Sequence, residues 1–408
     1  MQNWKKLSPK EIKKRVFKAL GENVDYYDQN ILGVPASHLD SKVFYQDAPF
    51  LKDAPFISTM VHNPNHIGCH TLGESEHFFK GTQDIEREVI GICAVDILNG
   101  KPGEQDGYVA SGGTEANMQA IWIYRNYFIE KYSADISEIC ILCSADAHYS
   151  MPKAANVFNV EYKSIPVNET TRQADKEILV AIIDELKKAG KKYFIVVVNM
   201  MTTMFGSVDD VDGCTHILDE MDCIYKLHVD GAYGGFFYPF SENNNRLDFS
   251  NPKVTSITLD AHKMAQAPYG TGIFLIRKNY LQYANTKEAS YVEGEDTTLI
   301  GSRSGANAVA IWMILSSYGP YGWKEKIFIL LKRTDWLCEQ LKKENIGFYR
   351  HPKSNIVTIK SKYVSSEIAN EFGLVPDNHH RPKWYKIVVM EHVHIENLIP
   401  LIEKLKTF

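Results

Sequence analysis

Residues 254–276 read Val-Thr-Ser-Ile-Thr-Leu-Asp-Ala-His-Lys-Met-Ala-Gln-Ala-Pro-Tyr-Gly-Thr-Gly-Ile-Phe-Leu-Ile. The β-branched and apolar residues at both ends predict two strands, and the polar residues between them predict a turn. The turn carries a carboxylate, an imidazole and an amine, in Asp260, His262 and Lys263. Lysine is costly to bury unless it is paired or covalently occupied, so this position suggests a desolvated amine of lowered pKa, suited to Schiff-base chemistry. An ordinary loop lysine would fit this stretch taken alone.

Strands and helices alternate in the part of the chain before this lysine. Apolar and amphipathic runs predict strands at 139–142, 193–198 and 224–229, and helices at 84–99, 174–189 and 214–221. Such alternation predicts an α/β fold, with a mostly parallel central sheet flanked by helices and the ligand at the carboxyl ends of the strands. His148, Asp230 and Lys263 each follow a predicted strand. We therefore expect these three groups at one edge of one sheet.

A glycine-rich turn, Ser111-Gly-Gly-Thr114, lies between a short predicted strand and a long predicted helix. Glycine lets a ligand approach the backbone closely, and the free N–H groups at the start of a helix attract anions. The turn therefore predicts a phosphate site, although an ordinary capped helix after a glycine turn has the same pattern.

Composition narrows the classes of function. The chain has 408 residues, of which 44% are hydrophobic and 23% charged, which are ordinary globular values. A formal net charge of -5 argues against a dedicated binder of nucleic acid or of anionic membranes. No uncharged apolar run approaches the ~18 residues of a membrane span, and the first residues lack the apolar core of a signal peptide. These features predict a cytoplasmic protein without a membrane partner.

The seven cysteines do not have the spacing of a disulfide framework, so reduced thiols are expected. Cys140 and Cys143 form a CxxC pair inside a strand-like run, and no second pair lies at zinc-like spacing. The cysteines therefore predict no metal site.

A polar segment between residues 55 and 71 contains His62, His66 and His70, which recur every four residues. A proline and a glycine between them interrupt a helix, which counts against a metal site on one helix face. The segment is predicted to be a polar loop that lines a pocket. His62, Asn63 and His66 are its candidates for contact with a substrate.

The chain divides into three predicted parts. Residues 1–54 form an N-terminal arm, with a helix that starts at Ser8-Pro9, where serine is the cap and proline takes the first helical position. Residues 55–320 form a large ligand-binding domain. Residues 321–408 form a smaller α+β domain.

Pyridoxal phosphate requires the set of groups assembled above: a phosphate cradle, a strand-end aspartate, a stacking imidazole and a lysine. Lys263 would form the Schiff base, and Asp230 would keep the pyridine nitrogen protonated so that the ring accepts electrons. His148 would stack on the ring. Ala232 lies on the same strand face as Asp230 and is small enough to lie under the ring.

Four motifs resemble those of the group II pyridoxal-phosphate-dependent amino-acid decarboxylases. They are Ser111-Gly-Gly-Thr-Glu-Ala-Asn117, Asp146-Ala-His148, His228-Val-Asp230-Gly-Ala232-Tyr-Gly-Gly-Phe236 and Asp260-Ala-His-Lys263-Met. The similarity covers nearly the whole chain and looks closest to compact tyrosine/aspartate decarboxylases, with histidine and glutamate decarboxylases also similar. It implies the aspartate-aminotransferase fold (fold type I), pyridoxal 5'-phosphate as cofactor and a homodimer with shared active sites.

The resemblance also implies residue roles. The catalytic residues would be Lys263, His148, Asp230 and Tyr291, the last as a proton donor from a mobile loop. The cofactor-binding residues would be Ser111, Gly112, Gly113, Thr114, His148, Thr203, Asp230, Ala232, His262, Lys263 and Ser302. Arg303 matches the arginine expected to hold the substrate α-carboxylate.

The chain departs from the family pattern at three positions. Met201 stands where many relatives have glycine, and Ala261 stands where proline is common. Asp260 replaces the serine or asparagine that contacts phosphate in some relatives. Because an anion would repel phosphate, we expect no phosphate-binding role for Asp260.

Decarboxylation of an amino acid, aromatic (tyrosine-like) or acidic (aspartate or glutamate), is the main prediction. The lack of arginine in the polar segment weakens a dicarboxylic substrate. One alternative is a pyridoxal-phosphate lyase that cleaves a Cα–Cβ bond, similar to sphingosine-phosphate lyase. Another is a non-catalytic binding protein with the same fold.

Overall fold

A computed structural model describes residues 4–24, 48–66, 77–286 and 295–406 of the chain. Tyr291 and His70 lie outside these ranges, and what was predicted for them stays a prediction. The first described helix, α1 (Pro9–Glu22), begins as predicted. The Glu11 backbone N–H donates to Ser8 Oγ, and the Ser8 N–H donates to the Glu11 carboxylate, which together form a capping box.

The centre of the fold is a seven-stranded sheet. Its strands are β1 (Gln105–Ala110), β2 (Ile139–Ser144), β3 (Glu161–Ile165), β4 (Tyr193–Asn199), β5 (Ile224–Gly231), β6 (Val254–Asp260) and β7 (Gly272–Arg277). They lie in the order β1-β7-β6-β5-β4-β2-β3. Only β7 is antiparallel to its neighbours, β1 and β6. The mostly parallel sheet of the prediction is confirmed.

Strand β4 shows why the sheet is buried on both faces. Each of its residues is buried. Phe194 and Val196 pack into one core, whereas Ile195 and Val197 pack into the other. Because successive side chains of a strand point to opposite faces, a continuous apolar run serves two layers of helices.

Helices cover both faces of this sheet. The remaining described α-helices are α2 (Pro55–His62), α3 (Lys80–Gly91), α4 (Gly113–Tyr132), α5 (Ser150–Phe158), α6 (Lys176–Lys188), α7 (Val211–Glu220), α8 (Tyr238–Ser241), α9 (Gly305–Lys343), α10 (Ser366–Glu371) and α11 (Ile395–Lys406). Apolar residues of α3, α6, α7 and α9 pack on one face, and those of α4 and α5 on the other. No helix within the described ranges is long and apolar enough to cross a membrane.

A second, smaller sheet follows near the carboxyl terminus. Its strands are β8 (Phe348–Tyr349), β9 (Ile356–Lys360), β10 (Val375–Pro376) and β11 (Trp384–Val388), and all pairings are antiparallel. Together with α10, α11 and the end of α9 it encloses its own core. Helix α9 is broken at Gly319, where φ is 62°, just before Pro320. The predicted domain boundary at residue 321 lies beside this break and stays a prediction.

The segment predicted to be a polar loop from residue 55 is in part a helix. Helix α2 starts with Pro55 at its first position and ends at Asn63, where φ is 45°. Proline is tolerated in the first turn of a helix and breaks it only further along. Pro64 therefore stops the helix without preventing the turns before it.

Candidate active site

A cavity of about 310 Å³ lies at the carboxyl end of the central sheet. The predicted residues that line it are Ser111, Gly112, Gly113, Thr114, His148, Ala232, His262 and Lys263. Glu115, Asn117, Tyr149 and Asp260 line it as well, although the sequence analysis assigned them no role. Asp230 lies behind Asn117, whose Nδ2 donates to Asp230 Oδ2 at 2.9 Å. The structure thus brings together groups that are far apart in the sequence.

The start of α4 forms one wall of the cavity. A Cβ atom on Gly113 would lie 3.0 Å from Ala232 Cβ and 3.1 Å from Asp260 Oδ2, so the wall has no room for a side chain there. The Ser111 N–H donates to Glu115 Oε2 at 2.6 Å, and the Gly113 N–H donates to Asp260 Oδ2 at 3.2 Å. The two carboxylates hold the turn in place. The N–H groups of this helix start that the two carboxylates do not occupy are suited to an anion that enters the cavity.

Lys263 lies in the turn between β6 and β7 and faces the same cavity. Its side chain keeps 30% of its surface exposed, and its Nζ lies 3.6 Å from Asp260 Oδ2. The lysine is therefore half-buried rather than enclosed in the core. An amine that opens onto a cavity and has a carboxylate nearby is accessible to a carbonyl compound.

Two polar atoms of this turn are not satisfied by the described residues. Asp260 Oδ1 and His262 Nδ1 lie 2.9 Å apart, but they are not aligned for a hydrogen bond with each other or with another described group. Burial raises the pKa of Asp260, and the charges of Lys263 and His262 oppose that shift. Unsatisfied buried polar atoms in a cavity wall are typical of a site that a polar ligand completes.

His148 and Asp230 are each anchored by a neighbour. His148 Nδ1 lies 3.0 Å from Ser150 Oγ, and the Tyr149 ring lies against the imidazole with 4.1 Å between centroids. Burial lowers the pKa of His148, so the ring is neutral at pH 7. Asp230 belongs to β5 itself, and its Oδ1 accepts from the Ala232 N–H at 3.1 Å.

Arg303 is paired with a buried carboxylate in this structure, and its predicted contact to the substrate carboxylate stays a prediction. Its side chain is only 4% exposed, and its guanidinium donates to Glu86 and to the Val109 carbonyl oxygen. Burial alone would raise the pKa of Glu86, but the charges of Arg303 and His66 lower it to about 2. This pairing makes Arg303 the counter-ion of Glu86.

His66 is likewise committed elsewhere. It is fully buried, and its ring nitrogens lie 2.7 Å from Glu86 Oε2 and 2.8 Å from Thr82 Oγ1. Its predicted contact with substrate stays a prediction. His62 and Asn63 are not enclosed in this way, but they do not line the cavity within this chain. Their substrate-binding roles stay predictions.

Ser302 is exposed, and Asn65 Nδ2 donates to its Oγ at 3.4 Å. It does not line the cavity of its own chain. Its predicted contact is with a cofactor in another subunit and stays a prediction. Thr203 is also exposed, so its predicted contact with the cofactor remains a prediction as well.

Lys386 of β11 is a residue that the sequence analysis missed. Its Nζ donates to the Thr203 carbonyl oxygen at 3.1 Å. Burial lowers the pKa of Lys386, and the positive charge of Lys263 lowers it further. The signal in the sequence was a lysine inside the apolar run Tyr385-Lys-Ile-Val-Val. A charged residue in a half-buried strand needs a partner.

Met201 occupies the position where the family resemblance predicts glycine. It is 3% exposed and has a φ of 70°, in the left-handed region that favours glycine. The backbone therefore keeps a glycine-like conformation although the residue is bulky. Such conformations in non-glycine residues cluster at functional sites.

A mostly parallel sheet with a lysine, an aspartate, a histidine and a helix start around one cavity defines the class of fold type I pyridoxal-phosphate enzymes. The model of the pyridoxal-dependent decarboxylase conserved domain matches residues 87–360. The chain belongs to this family of decarboxylases.

Known proteins similar to this chain agree with that assignment. Tryptophan decarboxylase of Clostridium sporogenes (strain ATCC 15579) is 51% identical over 409 residues, covering 100% of this chain and 98% of the relative. A probable L-tyrosine/L-aspartate decarboxylase of Methanocella arvoryzae is 32% identical, covering 84% of this chain and 90% of the relative. The structure of L-methionine decarboxylase from Streptomyces sp. 590 is similar in fold, with a TM-score of 0.74 at 19% identity, covering 98% of this chain and 94% of the other.

The chain is thus a pyridoxal-phosphate-dependent amino-acid decarboxylase, a carboxy-lyase, as predicted. The cavity fits the cofactor, because it combines an anion-binding helix start, an accessible amine and unsatisfied polar atoms in its wall. The predicted alternatives, a Cα–Cβ lyase and a non-catalytic binding protein, are not favoured by the family match.

Proposed function

We propose that this enzyme decarboxylates an aromatic L-amino acid, with tryptophan as the first candidate. The observation that carries the proposal is the identity of 51% with a tryptophan decarboxylase across the full length of both chains. Tyr149 supports it, because this tyrosine lines the cavity, lies against the His148 ring at an angle of 44° and is 61% exposed. Aromatic rings pair favourably with one another, so an exposed ring at the cavity favours an aromatic substrate over an acidic one.

Each side chain around the cavity has a separate proposed role in the reaction. Lys263 would hold the cofactor covalently, and Asp230 would accept a hydrogen bond from its ring nitrogen. His148 would lie against the ring, and the helix start at Ser111–Thr114 would bind the phosphate. Pyridoxal phosphate, when bound, supplies a ring that accepts the electron pair released when the bond between Cα and the carboxylate breaks.

Lys386 is the proposed ligand of the substrate carboxylate, in place of Arg303. It lies on the small sheet, where its Nζ donates to the Thr203 carbonyl oxygen, and burial together with the positive charge of Lys263 lowers its pKa. A carboxylate placed between two repelling amines relieves their repulsion. Holding that carboxylate fixes the direction of the bond that breaks, which is a positioning effect on the rate.

The test is an assay of the purified enzyme with a panel of L-amino acids, in which CO₂ and the amine product are both measured. We expect tryptophan to have the highest kcat/KM and to yield tryptamine. A higher kcat/KM with aspartate or glutamate would contradict the aromatic assignment. An aldehyde product without CO₂ would point to the Cα–Cβ lyase instead. Lys263→Ala should abolish CO₂ release and the visible absorbance of the bound cofactor.

We also propose that two copies of the chain form a homodimer. Large apolar side chains are exposed on α2, in Ile57 and Met60, and in Tyr269, whose ring lies 5.1 Å from that of the cavity residue His262. Exposed apolar surface is typical of an interface. Light scattering on the purified protein should give twice the mass of 46.4 kDa. A monomer mass at micromolar concentration would contradict the proposal.

The predicted location of the protein in the cytoplasm stays a prediction.

A further inference from the structure

The buried side-chain amide of Asn117 connects Asp230 and His148, the two groups proposed to contact the cofactor ring. Asn117 is 1% exposed and lies in the second turn of α4. Its Nδ2 donates to Asp230 Oδ2 at 2.9 Å and to Ser150 Oγ at 3.0 Å. Its Oδ1 lies 2.9 Å from His228 Nε2. Both hydrogens and the oxygen of the amide are therefore engaged.

On the His228 side of Asn117, the direction of each hydrogen bond follows from which atoms can donate. Because the amide oxygen only accepts, His228 Nε2 must carry the proton. Burial lowers the pKa of His228 to about 4, so the ring is neutral at pH 7 and its Nδ1 accepts from Ser256 Oγ at 2.7 Å. Because the hydroxyl proton of Ser256 is donated to His228, the Tyr124 hydroxyl must donate to Ser256 Oγ. The donors run in one direction, from Tyr124 to Asn117.

The hydrogen bonds run in the same direction on the Ser150 side of Asn117, towards His148. Ser150 Oγ accepts from Asn117, so its own proton is directed at His148 Nδ1, 3.0 Å away. The Ser150 backbone N–H points at the same nitrogen at 3.3 Å. His148 Nδ1 therefore accepts, and the neutral ring carries its proton on Nε2. The chain of hydrogen bonds ends on two acceptors, the Asp230 carboxylate and the His148 imidazole.

We propose that Asn117 is a positioning residue that sets both the orientation of the Asp230 carboxylate and the tautomer of His148. This inference rests on the proposed roles of Asp230 and His148 in the decarboxylase site. Asn117 itself acts through these two residues. A chain of hydrogen bonds with a single direction leaves one consistent arrangement of protons, because a reversed amide would bring its oxygen against a carboxylate.

Two variants test the proposal. Asn117→Leu removes the hydrogen bonds from Asn117 to both Asp230 and Ser150. Ser150→Ala removes only the hydrogen bond from the Ser150 hydroxyl to His148. Nitrogen-15 NMR of the cofactor-free protein, with the His148 signal assigned through His148→Gln, reports the tautomer directly. In the wild type we expect His148 as the neutral Nε2–H form. In both variants we expect a smaller share of this form, and the share that remains is due to the backbone N–H of residue 150, which still points at His148 Nδ1.

The loaded enzyme gives a second readout. Loss of a hydrogen bond behind a reacting group costs about 10- to 100-fold in activity, so we expect Asn117→Leu to lower kcat by that factor with little change in KM. The visible circular dichroism of the bound cofactor should change in Asn117→Leu, because the orientation of the ring depends on Asp230. Ser150→Ala should leave this signal close to that of the wild type.

Asn251→Ala is the matched control. Asn251 is also 1% exposed, and its amide bonds only to backbone groups of Arg246 and Lys253. It should lower the melting temperature without changing the His148 tautomer or kcat. The proposal would be overturned by an unchanged His148 tautomer in folded Asn117→Leu, or, if that variant does not fold, in Ser150→Ala. An equal loss of kcat in Asn251→Ala would also overturn it. Because the NMR measurement needs no substrate, a wrong substrate assignment would not affect it.

Discussion

At the scale of single residues, Glu86 shows how a buried charge is made tolerable. It is 4% exposed, and its carboxylate accepts from Arg303, from His66 and from the Val109 N–H at 2.7 Å. Removal of one partner of such a set leaves an uncompensated charge in the interior, which is strongly destabilising. Arg303 is therefore best understood as the counter-ion of Glu86.

Glu86→Gln should lower the free energy of unfolding at pH 7 by about 3–5 kcal/mol. The pKa of Glu86 is lowered from its ordinary value of 4.5 to about 2, so its stabilising contribution is fully present above 4.5 and is lost as the pH falls towards 2. The difference between variant and wild type should therefore narrow at acidic pH, as measured by urea denaturation at several pH values. Glu185→Gln, at an exposed ion pair with Lys163, is the control and should change little. A difference that stays constant with pH would contradict this account.

Lys386→Met should lower kcat/KM for the amino-acid substrate by about 10- to 100-fold, because a hydrogen bond between charged groups contributes about 1.5–3 kcal/mol. Lys386→Arg keeps the charge and should retain more of the activity. Lys360→Met, at an exposed lysine of neighbouring β9, is the matched control and should leave the rate unchanged. The measurement is steady-state release of CO₂. Equal rates in Lys386→Met and the wild type would exclude the lysine as the carboxylate ligand.

At the scale of elements, α4 carries much of the site. Its first turn forms the cradle, Asn117 in its second turn holds Asp230, and Gln119 Nε2 donates to the Thr297 carbonyl oxygen at 2.8 Å. One helix thus connects the cradle, the strand end and the segment that follows residue 294. Movement of its amino-terminal end would disturb all three.

Gly113→Ala should weaken the binding of pyridoxal phosphate by about 5- to 150-fold, because overpacking a tight site costs about 1–3 kcal/mol. The added Cβ would lie 3.0 Å from Ala232 Cβ, which is tighter than an ordinary contact, so the start of α4 or the turn after β5 would have to shift. Absorbance titration of the cofactor-free protein measures the affinity. Gly322→Ala is the matched control, because its Cβ would meet nothing closer than 3.9 Å. Unchanged affinity in Gly113→Ala would show that the cradle has more room than these distances indicate.

At the scale of the whole molecule, the proposed site joins parts of the chain that fold into separate cores. The cavity lies on the large sheet, whereas Lys386 belongs to the small antiparallel sheet and reaches Thr203 across the boundary between them. A ligand that contacts both parts should therefore stabilise the molecule as a unit.

Removal of the cofactor should lower the melting temperature, and reloading should restore it. A ligand present at 100 times its dissociation constant adds about 2.7 kcal/mol to the free energy of unfolding. Differential scanning calorimetry of the loaded and cofactor-free enzyme measures the shift. In Lys263→Ala, which lacks the amine for covalent attachment, the shift should be much smaller. An equally large shift in that variant would show that the lysine contributes little to cofactor binding.

Local patterns in the sequence were sufficient to predict the central sheet and most of its helices. The period of apolar residues predicted the sheet and most helices, and glycine and proline predicted their ends, because these signals act over a few neighbouring residues. The motifs also placed Lys263, His148 and the glycine turn at one edge of the sheet. Short strands such as β3 and β8 were missed, because their residues carry little apolar pattern of their own and are held by pairing.

Tertiary structure alone decided which partner each polar group has. Arg303 and Glu86 are 217 positions apart in the chain, Asn117 and Asp230 are 113 apart, and Lys386 and Thr203 are 183 apart. No local pattern encodes such pairs, because a hydrogen bond depends on distance and direction in space. The sequence by itself therefore determined the class of enzyme and predicted Lys263 as its reactive lysine. The folded chain decided that Arg303 pairs with the buried Glu86, that Lys386 pairs with Thr203 and that Asn117 connects Asp230 to His148 through Ser150.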